Sequence, residues 1–151
     1  MVAKHIASDK IRAVKTILKS KVPKDLKNHD SFIRESEILK ILDHPNIMKM
    51  YEFYEDSKNY HLCTEYCSGG ELFDYIVSKK NLNEKTACNI MHQLLSVLIY
   101  SHSNGVVHRD LKPENLLLER KPVASDGSDV QIKVIDWGTS ALIEPGDKLK
   151  S

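Results

Sequence analysis

Residues 11–18 alternate loosely between apolar and polar side chains, a pattern that predicts a half-buried strand. Ahead of it residues 1–7 are mixed, and Ser8-Asp9-Lys10 reads as a polar turn. Pro23 and the polar stretch as far as Asp30 interrupt the pattern. The period then changes. Phe32, Glu35, Ile38, Leu39 and Leu42 recur at helical spacing, which sets Glu35 on the apolar stripe. Asp43-His44-Pro45-Asn46 ends this helix, because the residue before a proline avoids helical dihedrals. Two strands are expected next, at 47–54 and 60–66, joined by the polar turn Asp56-Ser57-Lys58-Asn59.

The second half reads as helical and then mixed. A short helix is expected over 71–78, and Asn83 caps a longer one reaching Asn104-Gly105, a left-handed stop. Ala87, Ile90, Met91, Leu94, Leu95 and Leu98 form its apolar stripe, read as core. Residues 106–118 begin and end with apolar runs, and Pro113 argues against regular structure between them. The segment is a short loop clamped at both ends, with Asp110, Lys112 and Asn115 close together. A carboxylate, an amine and an amide together suit phosphoryl transfer, in which a hydroxyl proton is accepted, the moving phosphoryl group is neutralised and a divalent metal is held. Residues 119–129 are polar and read as a hairpin turn. Asp126-Gly127-Ser128-Asp129 faintly echoes a calcium loop but lacks the glutamate expected at the twelfth position. Residues 132–135 return as a strand that delivers Asp136, and the chain from Thr139 onward turns mostly polar.

Composition narrows the class. The 151 residues suffice for one domain with a real core, and 22 Lys and Arg against 21 Asp and Glu give no bulk-charge case for nucleic acid or membrane. The longest strongly apolar stretch, 94–100, is too short for a bilayer, and Val2 stands where myristoylation needs glycine. Three cysteines fit reduced thiols. The expectation is a soluble, cytoplasmic protein. His61, Cys63 and Cys67 raise a zinc reading, but no fourth ligand has suitable spacing, and buried cysteine on a strand is favoured.

His108-Arg109-Asp110-Leu111-Lys112-Pro113-Glu114-Asn115 resembles the catalytic loop of eukaryotic protein kinases in its serine/threonine form, and Asp136-Trp137-Gly138 resembles the Asp-Phe-Gly motif that follows it. The resemblance implies an α+β, two-lobed kinase-like fold, truncated at both ends: a partial small lobe over 1–64, a hinge over 65–70, and a partial large lobe over 71–151. It implies ATP and Mg²⁺ as cofactors and transfer of the γ-phosphate to protein Ser/Thr hydroxyls. Asp110 would be the base and Lys112 would offset phosphoryl charge, the feature that favours serine/threonine substrates. Asn115 and Asp136 would ligate Mg²⁺. Lys15, paired with Glu35, would hold the α- and β-phosphates. Ala13 and Leu117 would sandwich the adenine, Glu65 and Cys67 would meet its edge through the backbone, Thr64 matches the gatekeeper, and Glu71 would meet the ribose. Leu39, Met50, His108 and Trp137 match the apolar column joining the lobes, and Arg109 would pair with a phosphorylated or acidic activation segment.

Within that family, Leu42-Asp43-His44-Pro45-Asn46-Ile47-Met48-Lys49 and Gly69-Gly70-Glu71-Leu72-Phe73-Asp74 are similar to the calcium- and calmodulin-dependent branch, calcium-dependent protein kinases above all. A calcium-sensing regulatory segment outside this chain is an implied partner. Two departures stand out. Trp137 replaces the usual phenylalanine and is expected to pack under the Glu35 helix. No Gly-x-Gly-x-x-Gly occurs, and the substrate-docking region is absent, so an alternative is a kinase-like fragment that binds nucleotide or a partner without catalysis. The long helix would lack neighbours, which predicts exposed apolar surface and self-association.

Overall fold

The computed structural model describes residues 1–21, 26–124 and 126–143. Strands β1 (Val2–Lys4), β2 (Ile11–Leu18), β3 (Met50–Glu55) and β4 (Asn59–Glu65) form one antiparallel sheet in the order β1-β2-β4-β3. Helix α1 (Leu26–Ile41) connects β2 to β3. Helices α2 (Leu72–Lys79) and α3 (Glu84–Ser103) follow, with short antiparallel pairs around them: β5 (Val106–Val107) pairs with β8 (Ala141–Leu142), and β6 (Leu116–Leu118) pairs with β7 (Ile132–Val134). The fold is α+β, sheet first and helices after, as the two-lobed expectation has it. A single apolar cluster runs through both halves, from Ile38 and Leu62 to Leu72, Ile90, Val106, Leu118 and Trp137.

Several elements depart from the pattern-based reading. Strand β1 lies in a stretch read as mixed; three residues are too few to show a period. Its pairing with β2 (Val2 opposite Ala13) and the amino terminus donating to Val14 O at 2.8 Å hold it in place. Helix α1 starts at Leu26, inside the stretch expected to precede it; the apolar period that signals it in the sequence begins only at Phe32. Pro23 lies outside the described residues. Strand β3 starts at Met50 rather than at 47, and a bulge follows between Met50 and Glu52. Residues 43–49 instead form a strap against the other half. Asp43 N–H reaches Tyr100 Oη, His44 meets Ser96 Oγ, Met48 N–H donates to Val134 O, and Val134 N–H donates to Asn46 O. Residues 141–142, read as part of a polar tail, join β5; residues 144–151 lie outside the described residues.

Helix α3 starts where expected, with the Asn83 side chain accepting from Thr86 N–H at 2.7 Å. Its buried stripe is Thr86, Ile90, Gln93, Val97 and Ser101, whereas Met91 and Leu95, read as core, are about half exposed. The reason is polar. Gln93 Oε1 accepts from Asn46 Nδ2 (2.8 Å) and Ile132 N–H (2.9 Å), and its Nε2 donates to Val130 O (2.8 Å). These bonds fix which face turns inward, and no apolar side chain could satisfy those backbone groups.

Candidate active site

A cavity of about 350 Å³ opens between the sheet and the β6–β7 hairpin, lined by Ala13, Lys15, Glu35, Leu39, Met48, Leu62, Thr64, Asn115, Leu117, Ile135 and Asp136. Each wall has a local cause. Ala13 and Lys15 stand two apart on β2 and therefore on one face; their partners across the ladder, Thr64 and Leu62, share that face of β4. Lys15 Nζ reaches Glu35 Oε2 at 2.9 Å. The lysine is half exposed to the cavity and the carboxylate is buried, so the pair answers the question posed by an inward-facing acid on α1.

The opposite wall is the turn before β6 and the end of β7. Pro113–Asn115 forms a single tight turn, and Asn115 O accepts from Ile135 N–H at 3.0 Å, which sets Asn115 beside Asp136. Asp136 takes a left-handed conformation (φ 60°), uncommon for a residue with a side chain, as does Arg109 (φ 68°). Asn115 Nδ2 donates to the Asp110 carbonyl at 2.7 Å and to its carboxylate at 2.9 Å, and Lys112 Nζ donates to the same carboxylate oxygen at 2.9 Å. The hydrogen bond from Lys112, then that from Asn115, holds the Asp110 carboxyl below its ordinary pKa, and the carboxylate in turn raises that of Lys112.

His108 and Trp137 brace the loop from below. His108 is buried; Nε2 donates to Ile135 O at 2.9 Å and Nδ1 accepts from Asp110 N–H at 3.3 Å, which fixes a neutral tautomer. Burial lowers the imidazole pKa, and the Ile135 carbonyl only partly opposes it. The indole of Trp137 meets the imidazole edge-on at 4.6 Å, packs against α1 and is fully buried. Among the described residues its Nε1–H has no hydrogen-bond partner. Leu39 is buried as well and Met50 partly so, both in the common core. Arg109 donates to the carbonyls of Thr139 (2.7 Å) and Ser140 (3.4 Å).

Of the sequence-derived candidates, Ala13, Lys15, Glu35, Thr64, Asn115, Leu117 and Asp136 meet in the one cavity. Asp110 and Lys112 lie beside it, joined to it through Asn115. Glu65, Cys67 and Glu71 do not line it. The Glu65 carboxylate turns away to Lys133 at 2.9 Å, and burial, with Glu65 adding to it, pushes the Cys67 thiol up to about 12. Glu71 is exposed and bridges Leu117 through the backbone. Leu62, Met48 and Ile135 were missed; the alternation that placed Thr64 also points to Leu62. Both ring nitrogens of His61 are engaged, with Asp56 and Thr16.

The protein kinase domain family matches residues 1–151. The chain belongs to the protein kinase family. It is 50% identical over 138 residues to calcium-dependent protein kinase 4 of Plasmodium berghei (strain Anka), covering 91% of this chain and 25% of that protein. It is 44% identical over 140 residues to calcium-dependent protein kinase 5 of Plasmodium falciparum (isolate 3D7), covering 93% and 23%. It is also 44% identical over 128 residues to the probable serine/threonine-protein kinase MARK-C of Dictyostelium discoideum, covering 83% and 16%. The chain thus spans a quarter or less of the length of these relatives, and the calcium-dependent branch expected from its motifs is represented among them.

Proposed function

We propose that this chain is the nucleotide-binding and catalytic-loop part of an ATP-dependent serine/threonine protein kinase, with ATP and Mg²⁺ taken up in the cleft. The observation that carries this reading is the convergence of Lys15 and Asp136, far apart in sequence, on one cavity, with Lys15 held by a buried carboxylate. The residues suit the cofactors: a carboxylate and an amide oxygen are hard donors of the kind Mg²⁺ takes, sharing it with substrate phosphates. Asp136 and Asn115 would hold the metal, which when bound supplies charge neutralisation on the phosphates.

Lys15 binds the α- and β-phosphates. Ala13 and Leu117 close on the two faces of the adenine, the backbone of Glu65 and Cys67 meets its edge behind the Thr64 gatekeeper, and Glu71 meets the ribose. Asp110, kept ionised by Lys112 and Asn115, orients a serine or threonine hydroxyl and takes its proton as the oxygen attacks the γ-phosphorus, whose bond to the bridging oxygen breaks to release ADP. Lys112 offsets charge on the phosphoryl group in flight. Calcium regulation, through a segment beyond this chain, and a cytoplasmic location belong to the same proposal; the former leans on relatives named calcium-dependent.

The test is transfer of label from γ-labelled ATP to a generic basic protein in the presence of Mg²⁺. Label on serine and threonine is expected, abolished by Asp110→Asn with ATP binding retained. ATP binding without transfer by the unaltered chain would instead support the nucleotide-binding fragment.

A further inference from the structure

Lys133 is the anomaly of the interior. It sits in β7 between Ile132 and Val134, both fully buried, and is itself only 8% exposed. An ammonium in such surroundings is costly unless paired, and an apolar side chain of similar volume would fit at less cost. Its partner is Glu65, at 2.9 Å. Glu65 is held twice more: the same carboxylate oxygen accepts from Lys49 N–H at 2.7 Å, and Glu65 N–H donates to Lys49 O at 2.9 Å.

Both anchors trace back to β7. Lys133 belongs to it, and Lys49 ends the strap that β7 holds through Asn46 and Met48. Just beyond, Ser68 and Gly69 donate their N–H groups to Glu119 O and Leu118 O, at the end of the strand paired with β7. Residues 66–67 are therefore a short span fixed at both ends. Leu117, directly opposite Lys133 in the ladder, lines the cleft.

We propose that Lys133 is a positioning residue for the nucleotide, its ammonium holding Glu65 and thereby the backbone of residues 65–67 at the rim of the cleft. This rests on the cleft being a nucleotide site. Lys133 touches no reacting group; it sets where the backbone stands that would meet the adenine edge.

Removing one partner alone would leave a buried unpaired charge, so the decisive variant is Lys133→Met with Glu65→Gln, which removes both charges and keeps an acceptor for Lys49 N–H. In the nucleotide-free 151-residue chain, amide exchange over residues 65–69 is expected to quicken about tenfold while that of α3 is unchanged. Affinities for ATP and for adenosine should fall by the same factor, roughly three- to tenfold, because the effect sits at the base and not at the phosphates. Lys133→Arg alone, which keeps a cation opposite Glu65, should hold both the exchange and the affinities near those of the unaltered chain. Unchanged exchange over 65–69, or exchange quickened equally throughout the molecule, overturns the proposal. If the unaltered chain binds neither ligand, the nucleotide reading falls, and with it the role at the rim, whereas the exchange data still decide whether the clamp exists.

Discussion

Lys15 reaches Glu35 from a strand whose neighbouring side chains alternate between cleft and solvent, so losing its charge strands a buried carboxylate and removes the lysine proposed to hold the phosphates at once. Lys15→Met is expected to lower phosphate transfer about a hundredfold or more, checked by initial rates at saturating ATP. His108 gives a second expectation at this scale. Its pKa in the folded chain lies below the ordinary 6.5, so the unfolded chain binds more protons at acid pH. The stability it protects is full above 6.5 and is lost as pH falls through the lowered folded value. Urea midpoints should drop between neutral pH and about 5, and His108→Gln should flatten that slope. Glu35 was legible in the sequence because a carboxylate on an apolar stripe is an unanswered question. Lys133 was not: between Ile132 and Val134 a lysine reads as an outward strand residue, and only the position of Glu65 shows otherwise.

Among the elements, α3 shows how periodicity can name a helix and still misjudge its inward face. Leu95 is half exposed while Gln93 is buried, because that amide serves Asn46, Val130 and Ile132 together. Gln93→Leu, similar in volume, takes the acceptor from Ile132 N–H and one of two partners from Asn46 Nδ2 and Val130 O, and is expected to cost about 1–3 kcal/mol, measured as a shift of the urea midpoint at unchanged slope. Strands β1 and β8 were illegible for a different reason. Two or three residues carry no period, and what makes them strands is the partner each one meets. Residues 106–118 were the most legible stretch, since their apolar ends and Pro113 constrain them locally.

At the scale of the whole molecule, Met91, Leu95 and Ile99 form an exposed apolar row on α3, successive residues one turn apart. Beside it an apolar hollow of about 310 Å³ runs between α2, α3 and residues 111–116. The chain is expected to self-associate with rising concentration, and Leu95→Glu with Ile99→Lys should shift sedimentation equilibrium towards monomer. The two-lobed plan was legible from motif order, but the strap was not, because 43–49 reads as the start of a strand. Its bonds carry a mechanical consequence. Through Asp43, His44, Asn46 and Met48 the C-terminal end of α1 is moored to the helical half, whereas Lys15 travels with the sheet. Any gape of the cleft must therefore drag the ammonium off its carboxylate, so that disengaging the ion pair and widening the mouth are one motion. Spin labels at the exposed Ile11 and Ile41 should move apart when Glu35→Gln breaks that tether, and an unaltered separation would show that α1 rides with the sheet instead.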